Sequence, residues 1–159
     1  MEKTLKLGWR EWCALPELSI PAIKAKVDTG AKTSSLHTFR IEPFTDNGTA
    51  FVRFWVHPLQ RNKELVRECV AAIKDEREVT DSGGHKEMRY IIETQVLIGD
   101  KGWPIEMSLT NRDTMRFRML LGRRAMLGNI AVDPAVSYLN GRLKARKLYG
   151  LVHPRKEPR

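Results

Sequence analysis

One short segment carries a residue whose type and setting suit catalysis. Residues 27–31 are Val-Asp-Thr-Gly-Ala, and they follow a run in which apolar residues alternate with lysines. That period of two is typical of a strand with one buried face, and Gly30 lets the backbone turn sharply. Asp28 would then hold a carboxylate where a rigid strand meets a turn, a setting suited to acid–base chemistry. The same residue types also make ordinary surface turns, so this segment alone leaves both interpretations open.

The elements that must position this aspartate are mostly strands. Helical periodicity is scarce, with one short helix expected at about 123–127, and residues 99–102, Gly-Asp-Lys-Gly, have the composition of a hairpin turn. Many short strands with so little helix indicate an all-β barrel or sandwich. Buried faces are expected to hold Ile23, Ala25 and Val27, then Val52, Phe54 and Val56, then Met88, Tyr90, Ile92, Val96 and Ile98, then Ile105, Met107 and Leu109, while Glu87, Arg89, Glu93 and Gln95 are expected opposite the third group.

Length and charge bound the organisation of the chain. With 159 residues and no evident linker, it is expected to form one domain over 1–152. Residues 153–159 are basic and contain proline, and we expect them to be a disordered tail. The formal net charge is +9, and basic residues become more frequent from Arg142 onward. Such a charge would attract acidic partners.

Two landmarks together resemble a known family. Residues 27–31, continued by Thr-Ser-Ser-Leu at 33–36, look like the active-site turn of retropepsin-like aspartic peptidases. Residues 119–124, Met-Leu-Leu-Gly-Arg-Arg, resemble that family's second landmark, two apolar residues and a glycine before a short helix. The resemblance spans about 20–127 and implies a closed acid-protease barrel. It also implies catalytic roles for Asp28, Thr29 and Gly30, and support of the site by Leu121, Gly122 and Arg123.

The family also carries a glycine-bearing hairpin, the flap, that closes over substrate. Residues 81–85, Asp-Ser-Gly-Gly-His, precede the long strand pattern and would form its tip. Paired glycines suit a mobile lid, although they also suit a plain hairpin turn. The resemblance therefore implies that Gly83, Gly84 and Ala31 contact an extended peptide.

A single aspartate does not complete this chemistry. Aspartic peptidases use two carboxylates about 3 Å apart that share one proton. The chain has one good Asp-Thr-Gly turn, which favours a homodimer in which Asp28 meets its copy. An internal pair of Asp28 with Asp81 is the alternative, but Asp81 follows Arg-Glu-Val-Thr instead of a clean apolar strand.

The opening residues 8–16, Gly-Trp-Arg-Glu-Trp-Cys-Ala-Leu-Pro, add a narrower resemblance. They are similar to the bacterial retropepsin-like group often named ATP-dependent zinc proteases, whose members are associated with an ATP-grasp ligase that adds glutamate to a ribosomal protein. The two cysteines and four histidines show no zinc-ligand spacing, and the chain has no phosphate-binding glycine loop. We therefore expect no metal and no cofactor.

Three functions compete. The first is an endopeptidase that cleaves peptides, including acidic or glutamate-modified segments, and the second is a silent binding module for the ligase or its substrate. The third is RNA binding through the basic charge and Trp9, Trp12 and Trp103, disfavoured because no RNA-binding motif is present and acidic residues interleave with the basic ones. No apolar run is long enough for a membrane span or a secretory signal, which favours the cytoplasm.

Overall fold

Strands dominate the protein. The computed structural model describes residues 4–80, 83–112 and 115–151, and within them the expected all-β class is confirmed. The strands are β1 (Leu5–Leu7), β2 (Arg10–Leu15), β3 (Ile20–Asp28), β4 (Ser34–His37), β5 (Arg40–Asp46), β6 (Thr49–Val56), β7 (Arg67–Ala72), β8 (Asp75–Thr80), β9 (Lys86–Ile98), β10 (Lys101–Thr110), β11 (Met119–Gly122) and β12 (Ile130–Val132).

The largest sheet closes on itself. Its strands pair in the order β10-β4-β11-β3-β2-β9-β8, and β9 also pairs with β10, so six strands form a closed ring with β8 outside it. Strand β11 runs parallel to β3, and β10 runs parallel to β4, while the other pairs of this sheet are antiparallel. Apolar side chains from the ring and from β6 fill one core. Strands β5, β6 and β7 form a separate sheet, and β1 pairs with β12.

The alternation predicts most buried faces correctly. Val52, Phe54 and Val56 of β6 are buried, as are the expected residues of β3 and β10, and β9 turns into β10 at the expected hairpin.

The start of β9 departs from the prediction. Met88 is 59% exposed because it lies where β9 pairs with β8 in an arm outside the ring, and Arg89 is buried because its guanidinium lies against Ser35 and Ser108 of the neighbouring strands.

The expected short helix after β11 is present as a 3₁₀ helix over Arg123–Met126. The described residues also include a 3₁₀ helix at Pro16–Leu18 and an α-helix, α1, at Ala145–Leu148. Tyr149 follows α1 and donates its hydroxyl proton to the carbonyl of Ala22 at 2.5 Å, so the start of the basic C-terminal stretch packs on the barrel. The expected tail at 153–159 lies outside the described residues. No helix in the described ranges has the length and apolar character needed to cross a bilayer.

A buried carboxylate ties the two ends of the domain together. Glu11 is 0% exposed and accepts hydrogen bonds from the backbone N–H groups of Gly8 at 2.6 Å, Leu139 at 3.0 Å and Asn140 at 3.2 Å. Gly8 is required beside it, because a Cβ there would lie 2.4 Å from the carbonyl oxygen of Val136. Glu11 therefore holds the segment after β12 against the start of β2.

Replacing Glu11 by alanine is expected to lower the free energy of unfolding by about 3 kcal/mol, because three buried N–H groups would lose a charged acceptor. Chemical denaturation of the purified variant measures this. Glu93→Ala is the control: its ion pair with Lys74 is exposed, and its loss should cost less than about 1 kcal/mol. Equal losses of unfolding free energy in the two variants would contradict the role of Glu11 in holding the segment after β12 against β2.

Candidate active site

The turn after β3 presents the Asp28 carboxylate. Val27 packs in the core, so the next side chain along the strand, Asp28, lies on the opposite face of the sheet. The N–H of Gly30 donates to Asp28 Oδ1 at 2.9 Å, and the N–H of Ala31 donates to the Asp28 carbonyl at 3.3 Å. Thr29 and Gly30 are exposed at the tip of the turn. The carboxylate is thus anchored through one oxygen on a rigid strand end.

Strand β11 passes directly beside this turn. Leu121 pairs with Val27 and Gly122 pairs with Asp28 in parallel register. On its other side, Gly122 lies close to the backbone of residues 33 and 34. A Cβ at Gly122 would lie 2.6 Å from the Thr33 carbonyl carbon, and the N–H of Gly122 donates to Ser34 Oγ at 2.9 Å. The landmark glycine is therefore explained by contact with the chain that leaves the aspartate turn.

Arg123 fastens the turn from outside. Its N–H donates to the Ala31 carbonyl at 2.6 Å, and its guanidinium Nη1 donates to the Thr29 carbonyl at 3.3 Å. The N–H of Arg124 donates to the Lys32 carbonyl at 3.1 Å. The structure thus brings together Asp28, Thr29, Gly30, Ala31, Leu121, Gly122 and Arg123.

The expected hairpin is formed by β8 and β9, paired from Asp75↔Ile91 to Thr80↔Lys86. Gly83 and Gly84 are exposed at its tip, and Gly84 has a φ of +82°, which glycine adopts without strain. Asp81, the candidate for an internal pair with Asp28, lies outside the described residues.

A cluster of cations on the same sheet was missed by the sequence analysis. Arg89 is 7% exposed and donates from Nη1 to Ser35 Oγ at 3.3 Å and to Ser108 Oγ at 3.4 Å, and Arg118 is 6% exposed. Burial lowers the pKa of the adjacent His37; its hydrogen bond with the Arg112 carbonyl opposes this shift, and the positive charges of Arg89, Arg112 and Arg118 reinforce it. Nothing in the sequence pattern marks these residues, because arginine on a strand usually faces solvent.

The described residues offer little for other hydrolytic chemistry. Cys13 and Cys69 are buried free thiols; burial raises the pKa of Cys13 far above its ordinary value and that of Cys69 to about 12, so neither supplies a thiolate near neutrality. Within the described part of the chain, no three His, Cys, Asp or Glu side chains are grouped to hold a metal ion. A zinc ion therefore does not fit the donor groups described.

A concave surface lies on the outer side of β2 and β3. It is a cavity of about 560 Å³ whose lining includes Trp12, Lys24, Arg61, Arg116 and Arg146. The ammonium of Lys24 lies 5.2 Å from the ring centre of Trp12. Trp9 packs edge-on against Phe117, and Trp103 donates to the Ala125 carbonyl at 2.9 Å, so the three tryptophans of the RNA hypothesis are engaged within the domain.

Comparison with known proteins gives relatives in several bacteria. The chain is 45% identical over 154 residues to a protein named "Probable alpha-L-glutamate ligase" from Parasynechococcus marenigrum and 43% identical over 148 residues to one of the same name from Shewanella pealeana. These matches cover 97% and 91% of this chain but only 33% and 32% of the relatives. The chain thus spans about a third of the length of the curated relatives it matches.

A solved structure and a family model agree with the fold. The crystal structure of a protein of unknown function from Legionella pneumophila is 29% identical and superposes with a TM-score of 0.69 over 85% of this chain and 97% of that one. The model of the RimB-like family, described as retropepsin-like aspartic endopeptidase RimB, matches residues 6–143. The chain therefore belongs to the RimB-like family of retropepsin-like proteins.

Proposed function

We propose that this chain is one subunit of an aspartic endopeptidase in which Asp28 pairs with Asp28 of a second copy. The observation that carries the proposal is the carboxylate itself: it lies at the end of a core strand, and backbone bonds from Gly30 and Arg123 fix its turn. Rigid support of this kind is what acid–base catalysis requires. The family description names the same class of enzyme.

Hydrolysis by such a pair follows from one shared proton. The unprotonated carboxylate takes a proton from a water molecule as its oxygen bonds to the peptide carbonyl carbon, while the protonated carboxyl gives its proton to the carbonyl oxygen. The tetrahedral intermediate then collapses: the carbon–nitrogen bond breaks, and the departing nitrogen takes a proton from the carboxyl that was protonated by water. As the carbonyl re-forms, a hydroxyl of the intermediate gives its proton to the other carboxylate. The pair returns to its singly protonated state, and no cofactor enters the balance.

Several exposed groups suit the second copy and the substrate. Thr29 is exposed beside Asp28, where its hydroxyl would bond to the partner's turn, and Leu127, just after the 3₁₀ helix, is 74% exposed. The β8–β9 hairpin would cover a bound peptide, with Gly83 and Gly84 allowing its tip to move. Ala31 would line the same cleft, and the peptide would be held as an added strand.

The proposed substrate is an acidic or glutamate-modified protein segment, and the proposed partner is a glutamate ligase of the ATP-grasp type in the cytoplasm. The net charge of +9 favours acidic peptides. The relatives named as probable alpha-L-glutamate ligases join a region similar to this chain to further sequence, which supports a functional association. The same relatives support the second candidate, a binding module for the ligase or its substrate without hydrolysis.

Mixing subunits tests the shared site. If each site takes one Asp28 from each copy, an equimolar co-refolded mixture of wild type and Asp28→Asn should show about a quarter of the activity of wild type at the same total concentration, because about a quarter of random dimers have both carboxylates. Peptidase assays across mixing ratios measure this. Activity that falls only to about half would mean that a single subunit supplies the whole site.

A further inference from the structure

The cation cluster lies on the same sheet face as Asp28. Register defines the face: Gly122 pairs with Asp28, and Leu120, two residues earlier in β11, pairs with Ser35 of β4. Ser35 pairs in turn with Ser108 of β10. Ser108 pairs with Ile91 of β9, and Arg89 lies two residues before Ile91. Because paired residues share a face and residues two apart in a strand do so too, Arg89 lies on the face that carries Asp28. Arg118 directly precedes β11, two residues before Leu120, and continues that face.

Arg118 is chemically incomplete within the domain. Its Nε and Nη1 atoms are buried and have no hydrogen-bond partner, and no carboxylate of the described ranges lies within ion-pair distance of it. Glu87 Oε2 lies 3.7 Å from Arg89 Nη2 and 3.9 Å from Arg112 Nη2. Among the ion pairs of the described residues, Glu87 therefore serves Arg89 and Arg112 but not Arg118.

Such an arrangement opposes folding. A guanidinium taken out of water without an acceptor loses its hydration and gains little in return. Groups that weaken the fold in this way are concentrated at functional sites, where a ligand completes their bonds. The ligand best matched to a guanidinium is a planar oxyanion, because both oxygens can accept from its forked N–H groups.

We propose that Arg118, together with Arg89 of the same cluster around His37, is a specificity-determining residue that binds an acidic side chain of the peptide held at Asp28. The inference rests on the proposed peptidase function and assigns the residues that select its substrate. Ser35 lies two strand spacings across and about two residues along from Asp28, a separation of roughly 12 Å. An extended peptide spans that distance in three to four residues, so the recognised side chain belongs to a residue near the cleaved bond but not next to it.

Binding to an inactive enzyme tests the inference apart from hydrolysis. In an Asp28→Asn background, calorimetry would compare a peptide containing glutamates with the same peptide carrying glutamines. The parent should bind the glutamate peptide at least about tenfold more tightly. Adding Arg118→Met should remove this preference and leave the affinity for the glutamine peptide unchanged. Arg53→Ala, which removes one positive charge from β6 in the separate three-stranded sheet, should preserve the preference.

Stability supplies a second readout, because a merely structural arginine would behave differently. Arg118→Met removes a buried charge that lacks an acceptor, so its melting temperature should equal or exceed that of the parent. A lower melting temperature together with an unchanged glutamate preference would overturn the proposal, as would a parent that binds neither peptide or binds both equally. Glutamate-selective binding that depends on Arg118 in a protein that cleaves no peptide would refute the peptidase function alone.

Discussion

Asp28→Asn is expected to lower the rate of peptide hydrolysis by at least about 10²- to 10⁴-fold, because an amide can neither accept nor return the proton that the reaction moves. The fold should persist. The asparagine Oδ1 can still accept the hydrogen bond that Gly30 donates to Asp28 Oδ1, so the turn keeps its main local constraint. Steady-state cleavage of acidic peptides measures the first effect, and thermal unfolding measures the second.

A matched substitution separates this chemistry from turn geometry. Asp133 also accepts a backbone N–H, from Ala135 at 3.0 Å, in an exposed turn, so Asp133→Asn should leave hydrolysis unchanged. Activity retained in Asp28→Asn would end the peptidase proposal. Wild-type protein that binds acidic peptides without cleaving them, and binds them equally well as Asp28→Asn, would identify the chain as a binding module.

Gly122→Ala is expected to lower the free energy of unfolding by about 3 kcal/mol and to remove most activity. The new methyl group would lie 2.6 Å from the Thr33 carbonyl carbon and 2.8 Å from the Ser34 nitrogen. Both atoms belong to backbone, so relief requires the segment leaving the Asp28 turn to separate from β11, and overpacking of this kind costs several kcal/mol when nothing can yield. Denaturant unfolding and peptidase assays measure the two effects.

Gly102→Ala provides the control for this steric argument. Its Cβ would lie 2.4 Å from Leu97 Cδ2, which is closer than at Gly122, but that atom is the end of a flexible side chain. Rotation of Leu97 should relieve the contact with a cost below about 1 kcal/mol. If Gly122→Ala is tolerated as well as Gly102→Ala, close backbone approach does not explain the landmark glycine.

Alternation and local turn chemistry account for what could be predicted from the sequence. The β3 pattern ending at Asp28, the hairpin turn between β9 and β10, and the helix after β11 each depend on neighbours within a few residues. Met88 was predicted to be buried but is exposed, because alternation predicts the two faces of a strand but not how far the strand extends beyond the ring.

The remaining features depend on contacts distant in sequence. Glu11 looks like an ordinary strand acid, and only the return of residues 139–140 buries it. Arg89 is buried by strands β4 and β10, which no local pattern specifies. The placement of α1 likewise depends on Tyr149 reaching Ala22. Sequence reasoning found the aspartate turn but missed the charged surroundings that long-range packing assembles.

The parallel pairing of β11 with β3 also governs when the site comes into existence. Arg123 contacts Thr29 across 94 positions of sequence, so the Asp28 turn gains this contact only after a much later part of the chain has been made. Contacts of such separation form slowly because a long loop must close before they stabilise anything. A growing chain would therefore hold Asp28 without the support of β11 and Arg123 until both have been made, and the proposed peptidase site would stay incomplete until then.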